Sequence, residues 1–234
     1  MGELCYTLDH QMLKNENNLH SQDHSKSLDK YLGYKISKIE VQLLKKYRAY
    51  DRRNDDSSRK QHYKGTQTWI GLHPQALQTP YCEIYSALSL LGHSDIRHVV
   101  DVGAGYGRVG IVLNVLYPHA KFTGYEIVEK RQLEGNRIYT KYGLDNCNII
   151  LKNVLDIEFD LPKADVYFIY DFSDKDDIRY ILQSLSQRVR SESFYLVIRG
   201  DRIDYLMKNK YKNVWRCNQR LETTDLKIYT SISA

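Results

Sequence analysis

The segment His98 to Gly110 reads His-Val-Val-Asp-Val-Gly-Ala-Gly-Tyr-Gly-Arg-Val-Gly, and it constrains the fold more than any other stretch of the chain. An apolar run leads into Asp101 and then into a turn with glycine at 103, 105 and 107. Glycine at such a turn lets the backbone pass close to a ligand that a Cβ would hold away. A helical run, Arg108 to Leu116, follows, and a second strand, Lys121 to Tyr125, ends in Glu126. Strand, glycine turn, helix and strand in that order form a nucleotide-binding unit. The helix that opens at the turn offers unpaired N–H groups and a positive dipole end, suited to a phosphate or to a carboxylate.

Downstream the alternation continues. Strands are expected at Cys147–Leu151, Ala164–Tyr170 and Phe194–Arg199, with helices at Glu129–Tyr142 and Lys175–Val189. The apolar runs around Val99 and from Val166 to Tyr170 suit strands covered on both faces, as in a parallel sheet. A short helix, Ile203–Lys208, precedes two more strands, near Val214–Arg220 and Leu226–Ile232. Upstream, Thr79 as N-cap and Pro80 at the first helical position open a helix that runs to Leu91 and stops at Gly92. The expected class is α/β: a doubly wound, mostly parallel seven-stranded sheet with a C-terminal antiparallel hairpin. An N-terminal arm and helical extension over 1–77 precedes the sheet domain, 78–234.

Residues 1–26 are rich in Asn, Gln, His and Ser and read as a loose arm. Leu32, Ile36, Ile39, Leu43, Tyr47 and Tyr50 then recur at helical spacing, opposite Lys35, Lys38, Lys45 and Lys46. A charged loop spans Asp51 to Lys64, and a loop with short turns spans Trp69 to Thr79. The basic 28–60 region, which includes Arg52-Arg53 and Arg59-Lys60, has two readings: a platform for an acidic partner, or the solvated face of a helix packed on the domain. A net charge of +5 permits an acidic partner without demanding one. Cys5, Cys82, Cys147 and Cys217 lie far apart and the eight His are scattered, so no metal site is expected. No apolar run is long enough for a membrane span, and a cytoplasmic, reducing compartment is expected.

The turn discriminates between cofactors. A dinucleotide fingerprint requires Gly-x-Gly-x-x-Gly, but counting from Gly103 the sixth residue is Arg108; counting from Gly105 it is Gly110, in a register displaced by two. Asp101 stands just before the first glycine, where a carboxylate can receive the amino-acid part of a sulfonium cofactor. Asp101 to Gly107 resembles the first motif of the class I, Rossmann-type S-adenosylmethionine-dependent methyltransferases. The resemblance covers residues from about 80 onward. It implies S-adenosyl-L-methionine as cofactor, with Asp101, Gly103, Gly105, Gly107 and Arg108 around it and Glu126 on the ribose hydroxyls. It also implies that Asn153 and Val154 frame the adenine, although many members carry Asp where this chain has Asn153.

The methyl acceptor is less constrained. Gln78 to Ile84 resembles the helix that precedes the first motif in non-SET protein-lysine methyltransferases, which implies that Thr79, Tyr81 and Glu83 line the methionine end of the cofactor. That likeness favours N-methylation of a protein lysine. RNA or a small molecule as acceptor, and a non-catalytic cofactor-binding module, are the alternatives. Strand four ends in Tyr170-Asp171-Phe172-Ser173, where open α/β sheets place their ligands. Tyr170 and Phe172 there read either as the walls of a channel for an alkylammonium group or, equally, as core residues. Asp171 reads either as the group that positions the acceptor or as a cap on the helix beginning near Lys175.

Overall fold

The computed structural model describes residues 8–15, 19–53, 70, 73–76, 78–92, 95–189, 191–220 and 226–231. Seven strands form one sheet: β1 His98–Val102, β2 Lys121–Glu126, β3 Cys147–Leu151, β4 Val166–Tyr170, β5 Tyr195–Arg199, β6 Trp215–Arg220 and β7 Leu226–Ser231. Their order is β3-β2-β1-β4-β5-β7-β6. The first five pair in parallel, while β7 lies antiparallel to both β5 and β6. Among the described residues there are eight helices: α1 His10–Leu13, α2 Ser21–Leu32, α3 Ile36–Arg53, α4 Tyr81–Ser89, α5 Arg108–Leu116, α6 Glu129–Lys141, α7 Lys175–Arg188 and α8 Asp201–Asn209. None is long and apolar enough to cross a membrane.

The doubly wound sheet follows from the sequence pattern. Val99, Val100 and Val102 of β1 are fully buried, as are Val166 and Tyr167 of β4, because helices cover both faces. One apolar layer joins β1 and β2 to α2, α4, α5 and α6; the other joins β4 and β5 to α7 and α8. The strand order reverses between β1 and β4, which places the cleft of an open sheet at their C-terminal ends, beside Asp101 and Tyr170.

The N-terminal segment departs from expectation. Residues 10–13 and 21–32 are helical, not a loose arm, because Leu13, Leu28 and Leu32 are buried in the same apolar layer as Val99 and Phe122. The single helix expected over 28–50 is instead two. Gly33 breaks it in the left-handed region (φ 84°), where its N–H closes on the Asp29 and Lys30 carbonyls and that of Tyr34 closes on Asp29. Pro80, not Thr79, holds the N-cap position of α4. The side chains of Tyr47 and Tyr50, and the charged loop beyond Arg53, lie outside the described residues.

Two buried ion pairs fasten this segment to the sheet domain. Arg108 at the start of α5 meets Asp29 of α2 through both Nε and Nη2, and Arg131 of α6 meets Glu40 of α3, also through Nε and Nη2. All four side chains are at most 7% exposed. Burying two opposite charges costs nearly what their attraction returns, but removing one partner leaves the other stranded at a cost of about 3–5 kcal/mol. Asp29→Ala is therefore expected to destabilise the fold by that amount, and adding Arg108→Met should recover much of the loss. Equilibrium denaturant unfolding of the single and double variants measures both.

Candidate functional site

Four elements converge at the C-terminal edge of β1. The Gly103 and Ala104 N–H groups donate to the Tyr125 carbonyl, both at 2.9 Å, so the glycine turn is tied to the end of β2. Glu126 completes that tie. Its Oε2 accepts from the Gly105 N–H (2.8 Å) and its Oε1 from those of Ile127 (2.9 Å) and Val128 (2.7 Å). Burial raises the Glu126 carboxyl, and the charge of Arg131 with the three N–H donors pulls it back. A carboxylate has about four lone-pair directions, so Glu126 retains one for a ligand hydroxyl.

The three glycines have different reasons. All adopt positive φ, where an L side chain is strained. A Cβ on Gly107 would strike the Tyr139 hydroxyl, which itself donates to the Gly107 carbonyl at 2.6 Å. That glycine serves the packing of α6 on α5. A Cβ on Gly103 would lie 2.7 Å from Cβ of Phe172, which covers the turn from the β4 side. A Cβ on Gly105 would meet nothing within 4 Å, so this glycine faces open space.

Asp101 is 6% exposed, and among the described residues no donor lies within hydrogen-bonding reach of its carboxylate. Burial, with the negative charge of Glu126 nearby, pushes its pKa up to about 8. It borders a cleft of about 40 Å³, room for a few small groups, whose other walls include Gln78, Thr79, Arg108, Tyr170 and Arg199. Gln78 is equally buried, and its Oε1 has no hydrogen-bond partner among the described residues. Two acceptors without donors thus border one cleft, an arrangement that fits a cation carrying N–H groups.

The remaining candidates divide into those at the cleft and those behind it. Thr79 borders the cleft, and its carbonyl accepts from Arg108 Nη1 (3.2 Å). Arg108 reaches the cleft wall, but its guanidinium is committed to Asp29, to Gln75 and to that carbonyl. Tyr81 stands behind Arg108: it is fully buried, and its hydroxyl donates to Asp29 Oδ1 (3.0 Å). Glu83 accepts from the Ser21 hydroxyl (3.1 Å) and lies 3.7 Å from Arg199 Nη2. After β3, Val154 is buried beneath the loop, and Asn153 spends Oδ1 on the Leu155 N–H (3.1 Å). Asp156, near it, pairs with Lys152 at 2.6 Å.

At the end of β4 the expectations need correction. Tyr170 does border the cleft: its hydroxyl donates to the Ala76 carbonyl (3.1 Å), and the Arg199 guanidinium lies over its ring at 5.3 Å. Asp171 does not border it. Its two oxygens accept from the N–H groups of Arg202 and Ile203, each at 3.0 Å, so it caps α8 across the sheet. The helix near Lys175 has its own cap, Asp174. The cap near Lys175 expected from the sequence is thus replaced by a cap on α8, whose open donors, from Asp201 onward, draw the Asp171 carboxylate to them. Phe172 packs on Gly103 and on the β4–β5 apolar layer, so it roofs the turn.

Gln78 and Arg199 escaped the sequence reading. Arg199 ends β5 at the carboxyl edge of the sheet, and that position was the available signal. Gln78 offered none, since an orphaned amide oxygen exists only in three dimensions.

No family model matches the chain. Ribosomal RNA small subunit methyltransferase G of Marinobacter nauticus is 32% identical over 80 residues, 34% of this chain and 37% of that protein. The protein of the same name from Francisella philomiragia is 34% identical over 65 residues, 28% of this chain and 32% of that protein. The matched regions thus span about a third of the length of these relatives. Among solved structures, a precorrin-6y C5,15-methyltransferase from Geobacter metallireducens superposes with a TM-score of 0.50 at 20% identity, covering 68% of this chain and 90% of that one. The cofactor-bound protein Rv0187 from MTB gives 0.51 at 14% identity, covering 66% and 81%. These likenesses establish the fold.

The state of Asp101 has a measurable cost. An unfolded chain ionises this carboxyl near 3.8 and the folded chain near 8, so between those values the folded state holds a proton that the unfolded state has lost. Stability therefore falls as pH rises through this window. Asp101→Asn is expected to raise the melting temperature at pH 8 by several degrees and to flatten the decline between pH 5 and 8, both readable by thermal unfolding across pH.

Proposed function

We propose that this chain, which has the fold of the class I, Rossmann-type S-adenosylmethionine-dependent methyltransferases, is itself a methyltransferase of that kind acting on RNA. The observation that carries the reading is the buried, unpartnered Asp101 carboxylate beside an open-faced glycine turn. Asp101 and the Gln78 Oε1 would take the ammonium of the cofactor's amino-acid end. The spare lone pair of Glu126 would take a ribose hydroxyl, and Val154 with Asn153 would flank the adenine. Asp101, Gln78 and Glu126 keep acceptor capacity on the ligand side, while Asn153 would contribute its side-chain NH2, since its Oδ1 is held by the Leu155 N–H.

When bound, the cofactor supplies a methyl group on a cationic sulfur, already a strong electrophile. The residues then have only to align and to exclude water. Phe172 roofs the turn, while Tyr170 and Arg199 form a flat, positively charged wall at the ends of β4 and β5. The flat face of that wall suits a planar acceptor, and the relatives to which the chain is similar are named for ribosomal RNA and not for protein lysine. Protein lysine, expected from the Gln78–Ile84 likeness, is therefore set aside. With Asp171 committed to α8, no general base is assigned at the end of β4. RNA as acceptor also draws support from the two ribosomal RNA methyltransferases to which the chain is similar.

Calorimetry with the methylated and demethylated cofactors, followed by transfer of labelled methyl to total RNA, tests the reading. Binding without transfer to RNA, protein or small molecules would leave a non-catalytic module. Because a protonated Asp101 must ionise to receive a cation, cofactor affinity should rise by up to about tenfold per pH unit below pH 8 and level off above it. Asp101→Asn should abolish that rise and weaken binding at pH 8 by at least tenfold; a pH-independent wild type would overturn the assignment.

A further inference from the structure

After one exposed acid, Asp23, in the first turn of α2, charge on α2 and α3 is sorted by face as far as Lys46. Between His24 and Lys46 there are two acids, Asp29 and Glu40, and six lysines, 26, 30, 35, 38, 45 and 46. Both acids point inward, buried against Arg108 and Arg131. All six lysines are exposed, and among the described residues none of their ammonium groups has a carboxylate within 4.0 Å. This short segment contributes +4 of the chain's net +5.

The other helices behave differently. Each of α6, α7 and α8 carries a cation with an acid one turn away: Arg137 with Glu134, Arg179 with Asp176, and Lys208 with Asp204. That is the usual arrangement of a solvated helix surface. On α2, Lys26 and Lys30 stand four apart; Asp23, one turn before Lys26, forms no ion pair with it among the described residues, Asp29 is buried, and such like-charge pairs cost a few tenths of a kcal/mol each. Lys38 and Lys45 stand seven residues, two turns, apart on α3. Tyr31, 52% exposed, is the next residue of α2 after Lys30. A row of unpaired ammonium groups with an aromatic ring among them matches a phosphodiester backbone, whose phosphates take the charges while a base can stack on the ring.

We infer that the outer face of α2 and α3 is a docking surface for the phosphate backbone of the RNA acceptor. This rests on the RNA reading above and adds where the acceptor is held. The inner face of α2 delivers Asp29 to Arg108, a wall of the cleft. Lys26 and Lys30 of α2 therefore sit about one helix diameter, roughly 10 Å, from the cleft wall, and α3 extends the basic surface beyond them. RNA lying across them is held within reach of the cleft without entering it.

The test compares the full chain with the K26Q/K30Q/K38Q/K45Q variant. Three quantities are measured: RNA affinity against salt by filter binding, KM for methyl transfer to RNA, and cofactor affinity by calorimetry. The inference expects the variant to lose at least tenfold in RNA affinity at 0.1 M salt and to show a salt slope shallower by about 2–3, since each phosphate contact contributes about 0.7 to the slope on single strands. Its KM for RNA should rise, with melting temperature and cofactor affinity unchanged. A variant that methylates RNA with unaltered KM and slope overturns the docking surface and leaves the RNA reading standing. A wild type that binds no RNA at any salt overturns both. Binding of phosphatidylserine vesicles or poly-glutamate through these lysines, with RNA indifferent to them, also overturns the proposed occupant.

Discussion

The Asp29–Arg108 pair is the interaction on which the site most depends. Arg108 is the first residue of α5, directly after the glycine turn, and it gathers Asp29, Gln75 and the Thr79 carbonyl around one guanidinium. Tyr81 adds its hydroxyl to Asp29 and its ring beneath the guanidinium, 4.9 Å away. Segments far apart in the sequence therefore meet at one buried charge, and the cleft lies on its other side. An arginine at this position could have been a ligand contact; here it organises the wall that a ligand would touch.

Around that centre the chain uses its acids for two opposite purposes. Glu40 and Asp171 are taken up by a guanidinium, a hydroxyl or backbone N–H groups, Glu126 gives three of its about four lone-pair directions to backbone N–H groups, and all three hold elements together. Asp101 is saturated by nothing among the described residues, and burial penalises its charge. A carboxylate kept in such a state is costly for folding and useful only toward a cation that arrives from outside.

Much of this was legible in the sequence, for identifiable reasons. The parallel strands announced themselves as apolar runs, and the turn by glycines whose spacing few other structures require. The N-terminal helices were harder to read. Their buried stripe is interrupted by Gly33, and their polar residues, Ser25 and Asp29, are core residues because Tyr81 and Arg108 satisfy them. Polarity alone suggested a loose arm; pairing across the fold decided otherwise. The same limit applied to Asp171, whose partners lie some thirty residues downstream at the start of α8, and to Gln78, whose significance lies in a bond it does not make.

The seventh strand carries an implication for how the protein is made. β7 lies between β5 and β6, and among the described residues β6 pairs with β7 alone. Leu226, its first residue, also forms part of the cleft. A nascent chain can assemble β1 to β5 as they leave the ribosome, but β6 must wait unattached until β7 follows and slides in beside β5. Until then one edge of the sheet is bare and the cleft lacks a wall. Ligand affinity should accordingly appear late in synthesis, and chaperones that shield exposed strand edges would find their opportunity in that interval.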